Sequence, residues 1–304
     1  MVSSISLSVA RSCFVACSGC YNFFGDNVAV IERSHIVAFV RFLLPLGLKK
    51  VTVCGGDPLS RQDIVELLID LKQLGLFISL DTVGTAFLNS AHTIFFGKRS
   101  IPRIDPKTIV AVVDRIGIPL DGTSTTVIST FRKGRLNIFS EQMSIIHLLI
   151  DSGFAVCTNT VCHAKNIEDI PNLARLMNTI SKIELWQVFE FMPSGPLASQ
   201  NALQFSISST AFQKLRSIYG NRLSSGVAVE WKSARSRHHK YLLVDSDGIA
   251  WTPNTSSSNK IDSSRIVLGN IRQSYQFNMI YKRYRRIAQP PEFAETNLVE
   301  HSIV

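Results

Sequence analysis

Short runs rich in β-branched residues alternate with stretches of helical periodicity through about the first two hundred residues, and this rhythm limits the fold more than any other feature. Residues 5–11, 50–54, 76–81, 116–122, 154–161 and 183–191 read as strands. Helical stretches lie between them at 34–47, 61–74, 107–114, 140–152 and 166–180, with Ser34 and Ser140 as expected caps and Gly75 as a stop. The stretch 83–106 is less regular. Strand–helix alternation calls for a parallel sheet with crossover helices. Six such units suit an open or partly closed α/β barrel.

The pattern changes after Phe191. A Pro/Gly/Ser loop follows, then a helix near 207–219, a hairpin at 240–252 turning at Asp247-Gly248, a Ser/Asn-rich stretch at 255–264 expected to be mobile, and a basic helix at 271–287. We therefore expect a core over 1–200 and a C-terminal, substrate-proximal extension over 201–304. A composition of 45% hydrophobic and 18% charged residues excludes a disordered chain. The longest apolar run, 36–48, is broken by Arg41 and Pro45 and is too short to span a membrane. Lys plus Arg number 32 against 23 acids, and the resulting +9 suits an anionic partner without choosing one.

Three of the six cysteines fall together as Cys13-x3-Cys17-x2-Cys20, directly after the first strand and followed by Tyr21. A four-iron cluster takes one thiolate per iron. Three cysteines on one loop leave the fourth iron open to a substrate or cosubstrate. Structural zinc would need a fourth ligand. His35 is the nearest, and its apolar helix suggests a core histidine instead. Inert thiols are a third alternative. Residues 1–25 contain no acid and several serines, as transit peptides do, and a targeting role would remove these cysteines.

The segment SCFVACSGCY resembles the signature of the radical S-adenosylmethionine (SAM) superfamily. Gly55-Gly56-Asp57-Pro58, after the second strand, resembles the turn with which that family binds the methionine amino group through backbone and carboxylate, with Asp57 in place of the usual Glu. Leu120-Asp121-Gly122 closes the fourth strand. Arg132, in TFRKGR, resembles the arginine for the cosubstrate carboxylate. Asn159, in TNTV, resembles the ribose-binding asparagine of viperin-like members. LWQVFEFMPSG, with Met192, is similar to both viperin and the molybdenum-cofactor cyclases. The resemblance covers about residues 5–200. It implies a partial (β/α)6 barrel with a small C-terminal cap, one [4Fe-4S] cluster on Cys13, Cys17 and Cys20, and S-adenosylmethionine held by Tyr21, Gly55, Gly56, Asp57, Pro58, Asp121, Arg132, Asn159 and Met192. Tyr21 would lie against the adenine. The implied reaction is reductive cleavage of SAM to a 5′-deoxyadenosyl radical that abstracts hydrogen from a substrate, with an electron donor such as flavodoxin or ferredoxin.

The strand ends support the same rim. In α/β barrels, sites form where the strands end. The cysteine loop, the glycine turn, Asp81, Asp121, Asn159 and Met192-Pro193 all fall there. Cys54, Cys157 and Cys162 are expected as buried thiols, with hydrogen donation to the radical as the alternative for Cys157 and Cys162. No cysteine follows Cys162, so one cluster is expected. Trp251 is expected to pack, with substrate stacking as the alternative. Two basic groups, one from Arg235 to Lys240 and the other from Lys282 to Arg286, would suit a phosphate if they line the mouth. The expected substrate is an anionic biosynthetic small molecule such as a nucleotide or sugar nucleotide. A peptide-modifying enzyme with an acidic peptide is the rival. A zinc-binding interaction protein is the alternative of another class. No membrane or nucleic-acid partner is expected, and an oxygen-sensitive cluster fits the cytoplasm.

Overall fold

The computed structural model describes residues 2–23, 29–254 and 265–288. Seven strands run parallel: β1 (Ser4–Ser8), β2 (Lys50–Cys54), β3 (Phe77–Asp81), β4 (Arg115–Pro119), β5 (Val156–Cys162), β6 (Ile183–Glu190) and β7 (Ala228–Lys232). Each pairs with its neighbours in chain order. Three more complete one sheet in the order β7-β6-β5-β4-β3-β2-β1-β8-β9-β10. β8 (Leu243–Val244) is parallel to β1, while β9 (Ile249–Pro253) and β10 (Arg265–Asn270) are antiparallel additions. Sequential order means every crossover steps the same way, which winds the sheet into a partial barrel.

The crossovers carry α1 (Arg33–Leu43), α2 (Ile64–Gln73), α3 (Ile138–Asp151) and α4 (Ile170–Thr179). α5 (Ser209–Tyr219) precedes β7 and α6 (Phe277–Ala288) follows β10. Buried residues recur every three or four positions: Ile36, Phe39, Val40 and Leu43 on α1, and Ile64, Leu67, Leu68 and Leu71 on α2. The strands supply the matching face. Val51, Val53, Ile78, Leu80, Ile116 and Ile118 are fully buried. Their alternates Lys50, Thr52, Cys54, Ser79 and Asp81 line a cavity within the barrel. The sheet is thus apolar towards its helices and polar towards its bore. No helix among the described residues is long and apolar enough to cross a membrane.

Several expectations need correction. The helix expected at 107–114 is a single 3-10 turn, Pro106–Thr108, begun by Asp105 accepting from the Lys107 N–H. The β-branched run Ile109, Val110, Val112 and Val113 disfavours its continuation. Ser34 and Ser140 lie inside their helices, which start after Glu32 and Asn137. The basic helix begins at Phe277, because the residues before it form a turn after β10 and a 3-10 turn at Ser274–Gln276. β7 was not anticipated and makes a seventh parallel strand. The hairpin at Asp247-Gly248 joins β8 to β9 as expected. The Ser/Asn-rich stretch 255–264 lies outside the described residues. The sheet runs across residue 200, since β7 and β8 extend its two edges.

One carboxylate ties three of these elements together. Asp114 accepts from Lys72 Nζ at 2.6 and 2.7 Å and from the Ile78 N–H at 2.7 Å, joining α2, β3 and the entry to β4. Asp114→Ala strands that N–H and is expected to lower the unfolding free energy by about 1–3 kcal/mol. The urea midpoint should fall with its slope unchanged.

Candidate active site

The cysteine loop is fixed mainly through its backbone. Cys13 N–H donates to Phe95 O at 3.2 Å, and the N–H groups of Ile94 and Phe95 donate to Cys13 O. Ala16 and Cys17 pair antiparallel with Lys133 and Arg132. Gly19 sits beneath two rings, where a Cβ would come within 2.5 Å of Phe131 and 2.6 Å of Phe191. All six cysteines are free thiols. Burial raises the pKa of the three loop thiols, that of Cys20 to about 12, so binding a metal ion must displace their protons. Among the described residues, no three His, Cys, Asp or Glu side chains gather as they would round a single ion. A four-iron cluster instead asks for one thiolate on each iron.

The glycine turn lies against this loop backbone to backbone. Gly56 N–H donates to Ala10 O and Asp57 N–H to Ser12 O, both at 2.7 Å. A Cβ on Gly56 would stand 2.4 Å from Ser12 O, so only glycine allows the approach. Asn22, which the sequence did not single out, donates to Gly55 O at 2.7 Å and lies 3.7 Å from Cys20 Sγ. Ser8 Oγ donates to Asn22 Oδ1 at 2.9 Å.

Asp57 is engaged within the protein. Its fully buried carboxylate accepts from the Leu59 N–H at 2.9 Å, the Val83 N–H at 2.7 Å and Thr82 Oγ1 at 2.8 Å. It is turned towards the segment after β3. Burial pushes its pKa up to about 6, against those three bonds. Pro58 follows it, buried at the start of a 3-10 turn.

Arg132 is likewise engaged within the protein. Nε donates to Asp121 Oδ2 at 2.6 Å, and Nη1 to Cys17 Sγ at 3.4 Å. Asp121 is fully buried and also accepts from the Val161 N–H at 2.8 Å. This pair braces the cysteine loop against β5.

A cavity of about 270 Å³ brings Tyr21, Asp81, Asn159 and Met192 together within the barrel. Asn159 Nδ2 donates to Asp81 Oδ1 at 3.2 Å. Gly117 makes room for this pair, because a Cβ there would meet Asp81 Oδ1 at 2.1 Å and Asn159 Nδ2 at 2.5 Å. Cys54, expected in the core, lines the cavity with its Sγ 3.4 Å from Tyr21 Oη. Cys157 and Cys162 are buried, and Cys157 Sγ lies 3.5 Å from Asn159 Oδ1.

Trp251 both packs and faces the cavity. Its Nε1 donates to buried Asp245 at 2.8 Å, and Arg265 pairs with the same carboxylate at 2.6 Å. Of the basic groups, Arg237 reaches the cavity, whereas Lys282, Arg283 and Arg286 line a separate depression on α6. His35 is partly exposed, 3.9 Å from Glu32, rather than a core histidine. Lys50 and Lys232 line the cavity and were missed. The period-two alternation of KVTVC was the available signal for Lys50.

Gly56→Ala should push the glycine turn off the cysteine loop. We expect it to lower the unfolding free energy by about 1–3 kcal/mol. Iron retained per chain after anaerobic reconstitution should fall with it.

The radical SAM superfamily description matches residues 7–177, more than half of the 304 residues. The chain is 24% identical over 193 residues to an AdoMet-dependent heme synthase of Methanosarcina barkeri, covering 63% of this chain and 51% of that protein. It is 25% identical over 207 residues to a probable GTP 3′,8-cyclase of Methanococcus aeolicus, covering 63% and 60%. The chain thus spans between half and three-fifths of these relatives. In fold it is similar to anSMEcpe with bound AdoMet and a peptide, with TM-score 0.62, 14% identity, and 94% of this chain and 84% of that one covered. It is also similar to SuiB of Streptococcus suis bound to S-adenosylmethionine, with TM-score 0.58, 14% identity, and 81% and 59% covered. The family uses a [4Fe-4S] cluster and S-adenosylmethionine. Three thiols on one loop beside a glycine cradle that a Cβ would fill fit both groups. The chain belongs to the radical SAM superfamily.

Proposed function

We propose that this enzyme acts on an anionic biosynthetic small molecule, a nucleotide or sugar nucleotide, held inside the barrel by its charge. The observation that carries this reading is the cavity floor. Ser6, Thr52 and Ser79 stand in register on β1, β2 and β3 and line the cavity. Lys50 lies on the same face of β2, with its ammonium over the Phe77 ring at 5.3 Å and no carboxylate within ion-pair distance among the described residues. Burial first, then the nearby Arg115 and Lys232, lower its pKa. An anion would relieve that repulsion and accept the three hydroxyls. The heme synthase and the GTP cyclase, named for small-molecule chemistry, favour the same class.

The roles follow from position. Cys13, Cys17 and Cys20 would hold the cluster. The Gly55-Gly56 backbone would receive the methionine ammonium, with Asp57 and Pro58 keeping the turn in shape. Asn159, fixed by Asp81, would meet the ribose, with Tyr21 and Met192 beside the adenine. Asp121 would aim Arg132 past Cys17 towards the cosubstrate carboxylate. Cluster and cosubstrate supply the one-electron chemistry that removes a hydrogen atom from the substrate. A flavodoxin or ferredoxin and an oxygen-poor cytoplasm accompany this reading.

A peptide substrate is the second reading, supported by the likeness to peptide-bound anSMEcpe across most of the chain. Reconstituted, reduced enzyme should be offered nucleotides, sugar nucleotides and acidic peptides, with 5′-deoxyadenosine as readout. Product stimulated by peptides alone would sink the small-molecule reading. Cys17→Ala should abolish 5′-deoxyadenosine formation. Lys50→Ala should raise the KM for the anionic substrate by about tenfold or more, the worth of a charge-assisted contact. SAM cleavage without substrate should be unaffected by that change.

A further inference from the structure

We infer that Asn22 and Arg132 set the reduction potential of the cluster by donating hydrogen bonds to the sulfurs of Cys20 and Cys17. This inference rests on the reading of the three loop cysteines as cluster ligands and is independent of the substrate.

Both contacts run from nitrogen to sulfur. Asn22 Nδ2 lies 2.7 Å from Gly55 O and 3.7 Å from Cys20 Sγ. A backbone carbonyl can only accept, so this end of the amide is its NH2 group, with one hydrogen for Gly55 and one for the sulfur. The other end, Oδ1, accepts from Ser8 Oγ at 2.9 Å, which agrees with that orientation. Asn22 is 5% exposed, so bulk water does not compete for the sulfur. Arg132 Nη1 lies 3.4 Å from Cys17 Sγ, and a guanidinium has no acceptor. Asp121 holds it there, accepting from Nε at 2.6 Å and from Nη2 at 3.4 Å. That carboxylate balances the guanidinium charge. Cys17 therefore meets a directed N–H rather than a bare cation.

The three thiols are not treated alike. Burial pushes Cys17 and Cys20 up, while Arg132 at Cys17, and the backbone and side-chain N–H groups of Asn22 at Cys20, favour the thiolate. Cys13 receives the Val15 N–H and, among the described residues, no side-chain donor, and the charge of Asp57 adds to its burial. An N–H aimed at a ligand sulfur stabilises the more negative, reduced state of a cluster and so raises its potential. The loop does not need these two donors for its shape. The backbone bonds of Cys13 with Ile94 and Phe95, and the pairing of Ala16-Cys17 with Lys133 and Arg132, hold it independently.

Reconstituted protein without S-adenosylmethionine is titrated with dithionite in the presence of redox mediators, and the reduced cluster is counted by electron paramagnetic resonance. Asn22→Ala, and Arg132→Lys, which keeps a cation for Asp121 without the fork, should each lower the midpoint. At the midpoint of the unaltered protein, the reduced-to-oxidised ratio should fall about three- to tenfold, tenfold being ~59 mV for a one-electron couple. Resonance Raman spectra give a second readout that a purely structural role would not move. The iron–thiolate stretching bands of the unaltered protein should shift on exchange into deuterated water, and Asn22→Ala should shrink that shift. Equal midpoints and equal deuterium shifts in all three proteins would overturn the assignment. Iron lost from Asn22→Ala, with the remaining cluster at the unaltered midpoint, would make Asn22 structural and overturn it as well. An unaltered protein that takes up no iron would instead remove the cluster reading on which the inference rests.

Discussion

The buried carboxylate of Asp57 and the backbone beside it hold the active rim together. Its side chain gathers the Thr82 hydroxyl and the N–H groups of Leu59 and Val83, while its own N–H reaches Ser12. Three successive strand ends are thereby locked to one another. A buried carboxylate is tolerated only when donors surround it. The arrangement leaves Gly55 and Gly56 no freedom to move away from the cysteine loop. The precision of the site therefore lies in backbone contacts, which a side-chain substitution elsewhere cannot readily restore.

The sheet carries a second constraint. Its helix-facing side is packed as a core, but its inner side holds hydroxyls, amides and ammonium groups around open space. Such an interior gives up packing that hydrophobic side chains would supply. A ligand bound there would replace part of that loss and stabilise the fold.

Much of this was legible in the sequence because it depends on period and spacing. Helix-facing strand residues are apolar runs, and the cysteine spacing needs no tertiary information. β7 was hidden because AVEWK buries one residue firmly and leaves the rest at an edge, so its pattern is that of a charged loop. β10 was hidden because its register is set by pairing with β9. Asn22 acts through a carbonyl 33 positions away, and no local signal marks that. The direction of Asp57 is decided by Thr82 and Val83, which the sequence places on a different element. The alternation of KVTVC sets Lys50 on the face opposite Val51 and Val53, and the closed barrel shows that this face looks inward.

The parallel pairing of β1 with β8 sets an order of events. Ser6 lies opposite Leu243 and Leu7 opposite Val244, so β1 takes its second neighbour from a segment more than two hundred residues further along the chain. Contacts this distant in sequence slow folding. Until the chain beyond residue 243 emerges from the ribosome, the strand leading into the cysteine loop stands at an open edge. The strand that leads into the cysteine loop is therefore among the parts of the sheet whose pairing waits on a distant stretch of chain.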